Sequence, residues 1–104
     1  MNLIDFFERS AALHPTRNVL ECEGNAWSYA EADLFATQVA NGLKGMGVVH
    51  ETKCAVISRN DPHAFMAMLG ILKAQGTWVP LNPVNGADEN LYILDFFDVE
   101  VLLF

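Results

Sequence analysis

The sequence predicts an α/β fold in which helices alternate with the strands of a largely parallel sheet. Short apolar runs at 53–58, 77–81 and 99–104 are separated by segments with helical caps and helical spacing of apolar residues. Such alternation is typical of βαβ units, whose strands lie parallel. With 104 residues, of which 52% are hydrophobic, the chain has the length of one domain or a piece of one and enough apolar residues for a core.

The first predicted helix covers residues 2–13. Asn2 can cap its start, with Asp5 three residues further on, and His14-Pro15 ends it because the residue before a proline avoids the helical region. Its apolar side is predicted to consist of Leu3, Phe6, Phe7 and Leu13.

A β-hairpin is predicted next. Residues 19–23 alternate weakly as a strand, Gly24-Asn25 is a turn signal, and residues 26–28 form the returning strand.

The second helix is predicted to begin at a capping box. The Ser28 hydroxyl can accept a hydrogen bond from the Glu31 N–H, and the Glu31 carboxylate can accept one from the Ser28 N–H. We expect this helix to run to about Lys44, where Gly45 and Gly47 are stop signals. Its apolar stripe is predicted at Phe35, Val39, Leu43 and Met46.

The second half of the chain is predicted to alternate strand and helix. After a strand at 53–58, Asn60-Asp61-Pro62 begins a helix that runs to residue 74. No charge interrupts residues 64–72, so this helix should be buried on more than one side.

A strand at 77–81 follows and ends at Asn82-Pro83. A helix over 88–97 is predicted to place Leu91, Leu94 and Phe97 on one face. The last strand, 99–104, has the apolar composition of a strand that is covered on both faces.

Composition and charge exclude several classes of protein. A net charge of −7 disfavours binding to nucleic acid, and the six Lys and Arg residues are scattered rather than gathered into a membrane-binding patch. The longest nearly apolar stretch, 64–72, is far shorter than the ~20 residues that cross a bilayer. Cys22 and Cys54 are interpreted as reduced, buried thiols of a cytoplasmic protein. We therefore predict a cytoplasmic location and no nucleic-acid or membrane partner.

Candidate chemical groups are few. His14, His50 and His63 do not have metal-ligand spacing, and His63 is predicted to lie on the surface. Asp95 and Asp98 are three residues apart, as an acid/base pair could be, but a solvated helix end is the favoured interpretation. The sequence has neither a Ser/Thr/Gly-rich phosphate loop nor a recognisable nucleophile and base. We predict no catalytic, cofactor-binding or metal-binding residue.

Three segments carry a resemblance to a known superfamily. Residues 72–83 read LKAQGTWVPLNP and are similar to LKAGxxYVPLNP. Residues 27–32 (WSYAEA) and 59–65 (RNDPHAF) are similar to LTYxEL and xNxPEF. All three patterns belong to the adenylate-forming enzymes, which include acyl-CoA synthetases, luciferases and peptide-synthetase adenylation domains. The sequence departs from them where Ala32 replaces leucine, Gln75 replaces glycine and Trp78 replaces tyrosine.

Within this resemblance, the matched motifs are interpreted as structural. Gly76 is expected to permit the sharp exit from the helix, and Pro80 and Pro83 to fix the backbone around the strand end. The resemblance implies that residues 1–104 are an incomplete, N-terminal portion of the large domain of an AMP-dependent synthetase/ligase with an acyl-CoA synthetase-like fold.

The resemblance also implies a parent reaction in two steps. A carboxylate attacks ATP to give an acyl-adenylate and pyrophosphate, and coenzyme A then displaces AMP, with Mg²⁺ as the partner of ATP. The segment 79–83 (VPLNP) favours fatty-acid or aryl-acid CoA ligases over peptide-synthetase modules. The family's phosphate loop, acidic adenosine-binding residues, hinge and catalytic lysine have no counterpart in these residues.

The chain is therefore predicted to be a catalytically inert scaffold segment of an ATP-dependent carboxylic acid–CoA ligase, with no cofactor of its own. Its partner is expected to be the remainder of the ligase or a second copy of the chain, through exposed apolar surface. The alternative is a stand-alone α/β interaction or dimerisation module derived from such an enzyme.

Overall fold

The computed structural model describes residues 2–58 and 61–103. Within these residues, helices alternate with strands in the order α1 (Leu3–Leu13), β1 (Asn18–Cys22), β2 (Asn25–Ser28), α2 (Tyr29–Gly45), β3 (Lys53–Ile57), α3 (Pro62–Lys73), β4 (Thr77–Leu81), α4 (Ala87–Phe96) and β5 (Val101–Leu103). Strands β1 and β2 form a separate antiparallel hairpin, and the other three form a parallel sheet in the order β4-β3-β5. The predicted α/β class, hairpin and parallel sheet are confirmed.

Side-chain caps set the starts of the first two helices. The Asn2 amide oxygen accepts a hydrogen bond from the Asp5 N–H at 2.9 Å. The Ser28 hydroxyl accepts from the Glu31 N–H at 3.1 Å, and the Glu31 carboxylate accepts from the Ser28 N–H at 3.0 Å. This last bond holds the pKa of Glu31 below its ordinary value. Both predicted helix starts are confirmed, because each cap satisfies N–H groups that have no partner inside the helix.

The three-stranded sheet separates two layers of helix. In β3, Cys54 and Val56 point to the core that contains Ala40 and Leu43 of α2 and Ile71 of α3. Ala55 points to the opposite side because successive side chains of a strand alternate between its two faces. On that side it packs with Val79 and Leu81 of β4 and with Ile93 and Leu94 of α4. The two crossover helices therefore cover opposite faces of the sheet, as in doubly wound α/β folds.

Helices α2 and α3 approach each other closely. The buried stripe of α2 consists of Ala32, Ala36, Ala40 and Leu43, with the three alanines four residues apart. A Cβ atom placed on Gly70 of α3 would lie 2.6 Å from Cβ and Cγ1 of Val39. Of the predicted stripe, Leu43 is buried, Phe35 and Val39 are half-buried and pack against the core, and only Met46, 68% exposed, does not fit. Glycine occupies position 70 because a side chain there would meet Val39 and the backbone of Ala36.

The predicted buried faces of α1 and α4 also need correction. In α1, Ile4, Phe7 and Ala11 are buried, whereas Leu3, Phe6 and Leu13 are exposed. In α4, Asn90 is the buried residue, Leu94 is half-buried, and Leu91 and Phe97 are exposed. In both helices the apolar residues outnumber the positions that face the core, so composition alone selects the wrong ones.

Helix α3 and strand β5 differ in burial. Helix α3 contributes Met66 and Leu69 to a core shared with α1 and α2, and Ile71 to the core against the sheet, which confirms burial on more than one side. Strand β5 lies at an edge of the sheet with Leu102 40% exposed, which agrees with the expectation of exposed apolar surface. Phe104 lies outside the described residues, as do Arg59 and Asn60 of the predicted helix start.

A cluster of three charged side chains joins helices α1, α2 and α3. The Lys73 ammonium lies 2.7 Å from a carboxylate oxygen of Asp33 in α2 and 3.6 Å from one of Glu8 in α1. The Lys73 side chain is only 12% exposed, so two carboxylates compensate for the loss of its hydration.

Candidate functional site

The segment 72–83 begins with the end of helix α3. The Gln75 N–H donates to the Leu72 carbonyl at 3.0 Å, and the Gly76 N–H donates to the Ile71 carbonyl at 2.9 Å. This is a Schellman motif, in which the residue after the helix cap adopts a left-handed conformation. That residue is Gln75, with φ 65°, so the expectation that Gly76 makes the sharp exit is wrong. Gly76 is required for a different reason: a Cβ there would lie 3.0 Å from the Thr52 carbonyl oxygen.

Replacing Gln75 with glycine is expected to raise the free energy of unfolding by about 0.5–1 kcal/mol, because a left-handed conformation costs a residue with a side chain more than it costs glycine. Urea unfolding followed by circular dichroism measures the change. The matched control is Gly76→Ala, which should destabilise the fold because its Cβ meets backbone. A destabilised Gln75→Gly variant would contradict the assignment of the helix stop to this residue.

Strand β4 and the turn after it fix the rest of the segment. The Thr77 N–H donates to the Thr52 carbonyl at 2.8 Å, and Pro80 lies opposite Val56 of β3. Strand β4 is an edge strand that pairs only with β3, so the missing N–H of Pro80 removes no hydrogen bond to a second neighbouring strand. The Asn82 side chain accepts from the Val84 N–H at 2.9 Å, and the Asn82 carbonyl accepts from the buried Asn90 amide at 3.1 Å. The segment therefore links α3, the sheet and α4 rigidly, as a scaffold does.

A cavity of about 420 Å³ lies where β3 and β4 end. The carboxyl ends of parallel strands are the usual place for ligands in α/β sheets. Strand β1 of the hairpin, the ends of the two parallel strands and the first turns of α3 supply its walls. Apolar walls come from Leu20, Cys22, Val56, Pro62, Ala64, Phe65, Met68, Trp78 and Pro80, and polar groups from Glu21, Ser58 and Asp61.

The polar groups at the sheet edge are engaged in capping α3. One Asp61 oxygen accepts from the Ala64 N–H at 2.9 Å, and the other accepts from the Ser58 hydroxyl at 2.7 Å. These hydrogen bonds, the one from Ser58 first, hold the pKa of Asp61 below its ordinary value. A carboxylate with a lowered pKa is a poor general base, so the contact between Ser58 and Asp61 stabilises the helix start rather than activating a nucleophile.

Replacing Asp61 with alanine is expected to cost about 1 kcal/mol of stability at neutral pH, through loss of the helix cap. Because the native pKa lies below the ordinary value of 3.8, this contribution is complete above that value and is lost as the pH falls through the native pKa. Urea unfolding of both proteins at neutral pH and at about pH 3 should show a smaller difference in acid. An undiminished difference in acid would contradict an ionised cap.

His63 and the pair Asp95 and Asp98 are not among the residues that line this cavity. His63 is exposed, as predicted, and its ring packs edge-on against Trp27 and Phe35, with ring centres 5.9 and 5.6 Å away. Asp95 and Asp98 are exposed at the end of α4, where the Asp98 N–H donates to the Asp95 carbonyl. The structure thus places this pair at a solvated helix end.

The two cysteines are free thiols, but only one fits the predicted burial. Cys54 is fully buried, and desolvation raises the pKa of its thiol, whereas Cys22 is half-buried beside the cavity. Over residues 2–58 and 61–103, no group of three or more His, Cys, Asp or Glu side chains is arranged to hold a metal ion. None of the helices in those ranges combines the length and hydrophobicity needed to cross a membrane.

Sequence reasoning missed the Ser58–Asp61 contact and the cavity beside it. The strands at 53–58 and 77–81 are predicted to be parallel, and parallel neighbours bring their carboxyl ends to one edge of the sheet. This pairing could have indicated where the cavity lies. Asp61 lies just before Pro62 at the start of a predicted helix, and in the structure it is the helix cap.

Comparison with known proteins connects this geometry to a family. The family model described as "AMP-binding enzyme" matches residues 7–104. The chain is 35% identical over 97 residues to a plipastatin synthase polypeptide of Bacillus subtilis (strain 168), covering 93% of this chain and 4% of that protein. It is 32% identical over 97 residues to the AMB antimetabolite synthetase AmbB of Pseudomonas aeruginosa, covering 93% of this chain and 8% of that protein.

Solved structures share the fold. VinN aligns with a TM-score of 0.92 at 20% identity, over 98% of this chain and 26% of its own. The anthranilate CoA ligase AuaEII aligns with a TM-score of 0.91 at 24% identity, over 98% of this chain and 20% of its own. The chain therefore spans a small share of the length of each of these four proteins. The family match extends over nearly all of its residues and confirms the resemblance seen in the three segments, so the chain belongs to the AMP-binding family of adenylate-forming enzymes.

Proposed function

We propose that this chain is a scaffold segment of a domain that activates a carboxylic acid as its adenylate. The observation that supports this most strongly is the family match over residues 7–104, together with a fold shared with adenylate-forming enzymes. In the proposed reaction the acid's carboxylate attacks the α-phosphorus of ATP, which forms the acyl-adenylate and releases pyrophosphate. A thiol then attacks the acyl carbon, which forms a thioester and releases AMP.

The curated relatives favour a peptide synthetase as the parent enzyme. Plipastatin synthase polypeptides and other nonribosomal peptide synthetases share up to 35% identity with the chain. The expectation of an acid–CoA ligase rests on the segment 79–83. The ligase AuaEII has the same fold at 24% identity, which bears on the fold alone. We therefore propose an amino acid or aryl acid as the activated substrate, with coenzyme A as the second candidate for the thiol.

The described residues are proposed to position the catalytic parts of such a domain rather than to supply them. Asp61 and Ser58 are committed to capping α3, and segment 72–83 is fixed by backbone hydrogen bonds and a tight helix exit. ATP, Mg²⁺ and the thiol are proposed to bind other parts of a complete domain, as the absence of a phosphate loop from these residues suggests.

Catalytic inertness of the chain is tested by incubating it with ATP, Mg²⁺ and a mixture of amino, aryl and fatty acids. The expected result is pyrophosphate release no faster than in a control without protein. Acid-dependent release that increases with protein concentration would contradict the scaffold role.

A segment exchange tests the scaffold role directly. The 97 matching residues of the plipastatin synthase polypeptide that is 35% identical are replaced by those of this chain, and amino-acid-dependent ATP–pyrophosphate exchange is measured. We expect the chimera to keep exchange activity, since the replaced segment supplies no catalytic group. A second chimera with Gly70→Leu disrupts the contact between α2 and α3 and should lose it. A folded first chimera without exchange, beside an active parent, would contradict the proposal.

A stand-alone interaction module remains the second candidate, because α4 exposes aromatic side chains. Light scattering and binding of a hydrophobic dye test it on the isolated chain. A monomer that binds no dye would count against this candidate.

A further inference from the structure

Helix α4 exposes an aromatic surface that the core does not use. The rings of Tyr92 and Phe96 are stacked, with centres 5.8 Å apart, and Phe97 packs edge-on against Phe96 at 5.0 Å. Tyr92 is 66% exposed and Phe96 64%. We call these three residues the aromatic patch. Its helix is held to the sheet by other residues, Ile93 and Leu94, so the core of the described residues leaves the patch exposed.

Acidic residues flank the aromatic patch in the sequence. Asp88 and Glu89 precede Tyr92 by four and three residues, which places them on the same face of the helix. Asp95, Asp98 and Glu100 follow, and residues 74–104 contain five acidic residues and no Lys, Arg or His. Residues 74–104 therefore combine exposed aromatic rings with an excess of acidic side chains.

Both properties favour cationic side chains. Carboxylates attract Lys and Arg directly, and the faces of Tyr and Phe attract them through the ring quadrupole. A second copy of this chain would bring the same negative charge to the contact, and an anionic membrane would be repelled. We propose that the aromatic patch and its carboxylates form a docking surface for a protein segment that presents Arg or Lys beside aliphatic side chains. The proposal does not depend on the adenylation chemistry.

The test uses a helical peptide of leucine and arginine as the probe, with a leucine–glutamate peptide of equal length as its counterpart. Fluorescence anisotropy measures binding to the 104-residue chain. We expect the arginine peptide to bind, with affinity falling as salt is added, and the glutamate peptide not to bind. Phe96→Ser should weaken binding by about tenfold or more, as removal of a central aromatic contact does. Asp95→Asn should also weaken it.

The matched control is Phe6→Ser, which removes a phenylalanine that is 60% exposed on α1, away from the patch. The Phe6→Ser variant should bind the arginine peptide with the same affinity as the unchanged chain. The proposal would be overturned if Phe6→Ser and Phe96→Ser weakened the binding of the arginine peptide equally, or if Phe96→Ser did not weaken it. Either result would mean that the peptide is attracted to the negative charge of the protein in general. If the chain self-associates and Phe96→Ser abolishes this, the partner is a second copy and the proposal is wrong. If the chain binds phosphatidylcholine vesicles and Phe96→Ser abolishes this, the partner is a membrane and the proposal is also wrong.

Discussion

Replacing Gly70 with alanine is expected to lower the free energy of unfolding by about 2–3 kcal/mol, a large loss for a single methyl group. The new Cβ would lie 2.6 Å from Cβ and Cγ1 of Val39 and 3.0 Å from the backbone oxygen of Ala36. Cβ of Val39 is fixed by its own backbone, so no rotamer change relieves the clash. Helices α2 and α3 must move apart, and the alanine stripe of α2 would lose contact.

The matched control is Gly42→Ala in α2, where an added Cβ meets nothing within 4 Å. Alanine favours the helix over glycine, so this variant should gain up to about 1 kcal/mol. Chemical unfolding of both variants and the unchanged chain measures the two effects. Equal stability of Gly70→Ala and Gly42→Ala would show that the two helices do not approach as closely as described.

Leu69→Ala is expected to destabilise the fold by about 2–5 kcal/mol, because it removes buried carbon and leaves a cavity. Leu69 is 1% exposed and packs in the core cluster that includes Ile4 and Phe7 of α1 and Ala36 of α2. Removing the Leu69 side chain should therefore weaken the packing among α1, α2 and α3.

The control for this prediction is Leu91→Ala, the same substitution at a leucine that is 61% exposed on α4. It should change stability by no more than about 0.5 kcal/mol. Thermal and urea unfolding of both variants give the comparison. A similar loss in the two variants would contradict the burial that distinguishes α3 from the outer side of α4.

The ends of helices and strands were predictable because local chemistry sets them. Asn2, Ser28 and Asp61 cap the three helices that the sequence placed after them. Strand β4 has the predicted bounds, and β3 is shorter by one residue. In each case the signal and its consequence lie within four residues, so the sequence contains both.

The buried faces were less predictable because they depend on the distance between elements. Phe35 and Met46 are more hydrophobic than Ala36 and Ala40, yet the alanines face α3 because the two backbones meet there. Gln75 in a left-handed conformation is a further case, since a long polar residue gives no local sign of that role.

The candidate site was predictable only in part. The scaffold character of segment 72–83 followed from its glycine and prolines, and the role of Asp61 from its place before Pro62. The cavity beside Ser58 was not predicted, since it requires strand β1 of the hairpin to lie beside α3 and the sheet. That packing joins residues distant in the chain, which no local pattern encodes.

The strand order β4-β3-β5 has a consequence for the order of folding. Strand β3 can pair with β4 once α3 has crossed the sheet, but it can pair with β5 only after α4 has crossed as well. Loop-closure entropy makes this second pairing the more costly one. We therefore expect the three residues of β5 to pair last and to open first within the sheet.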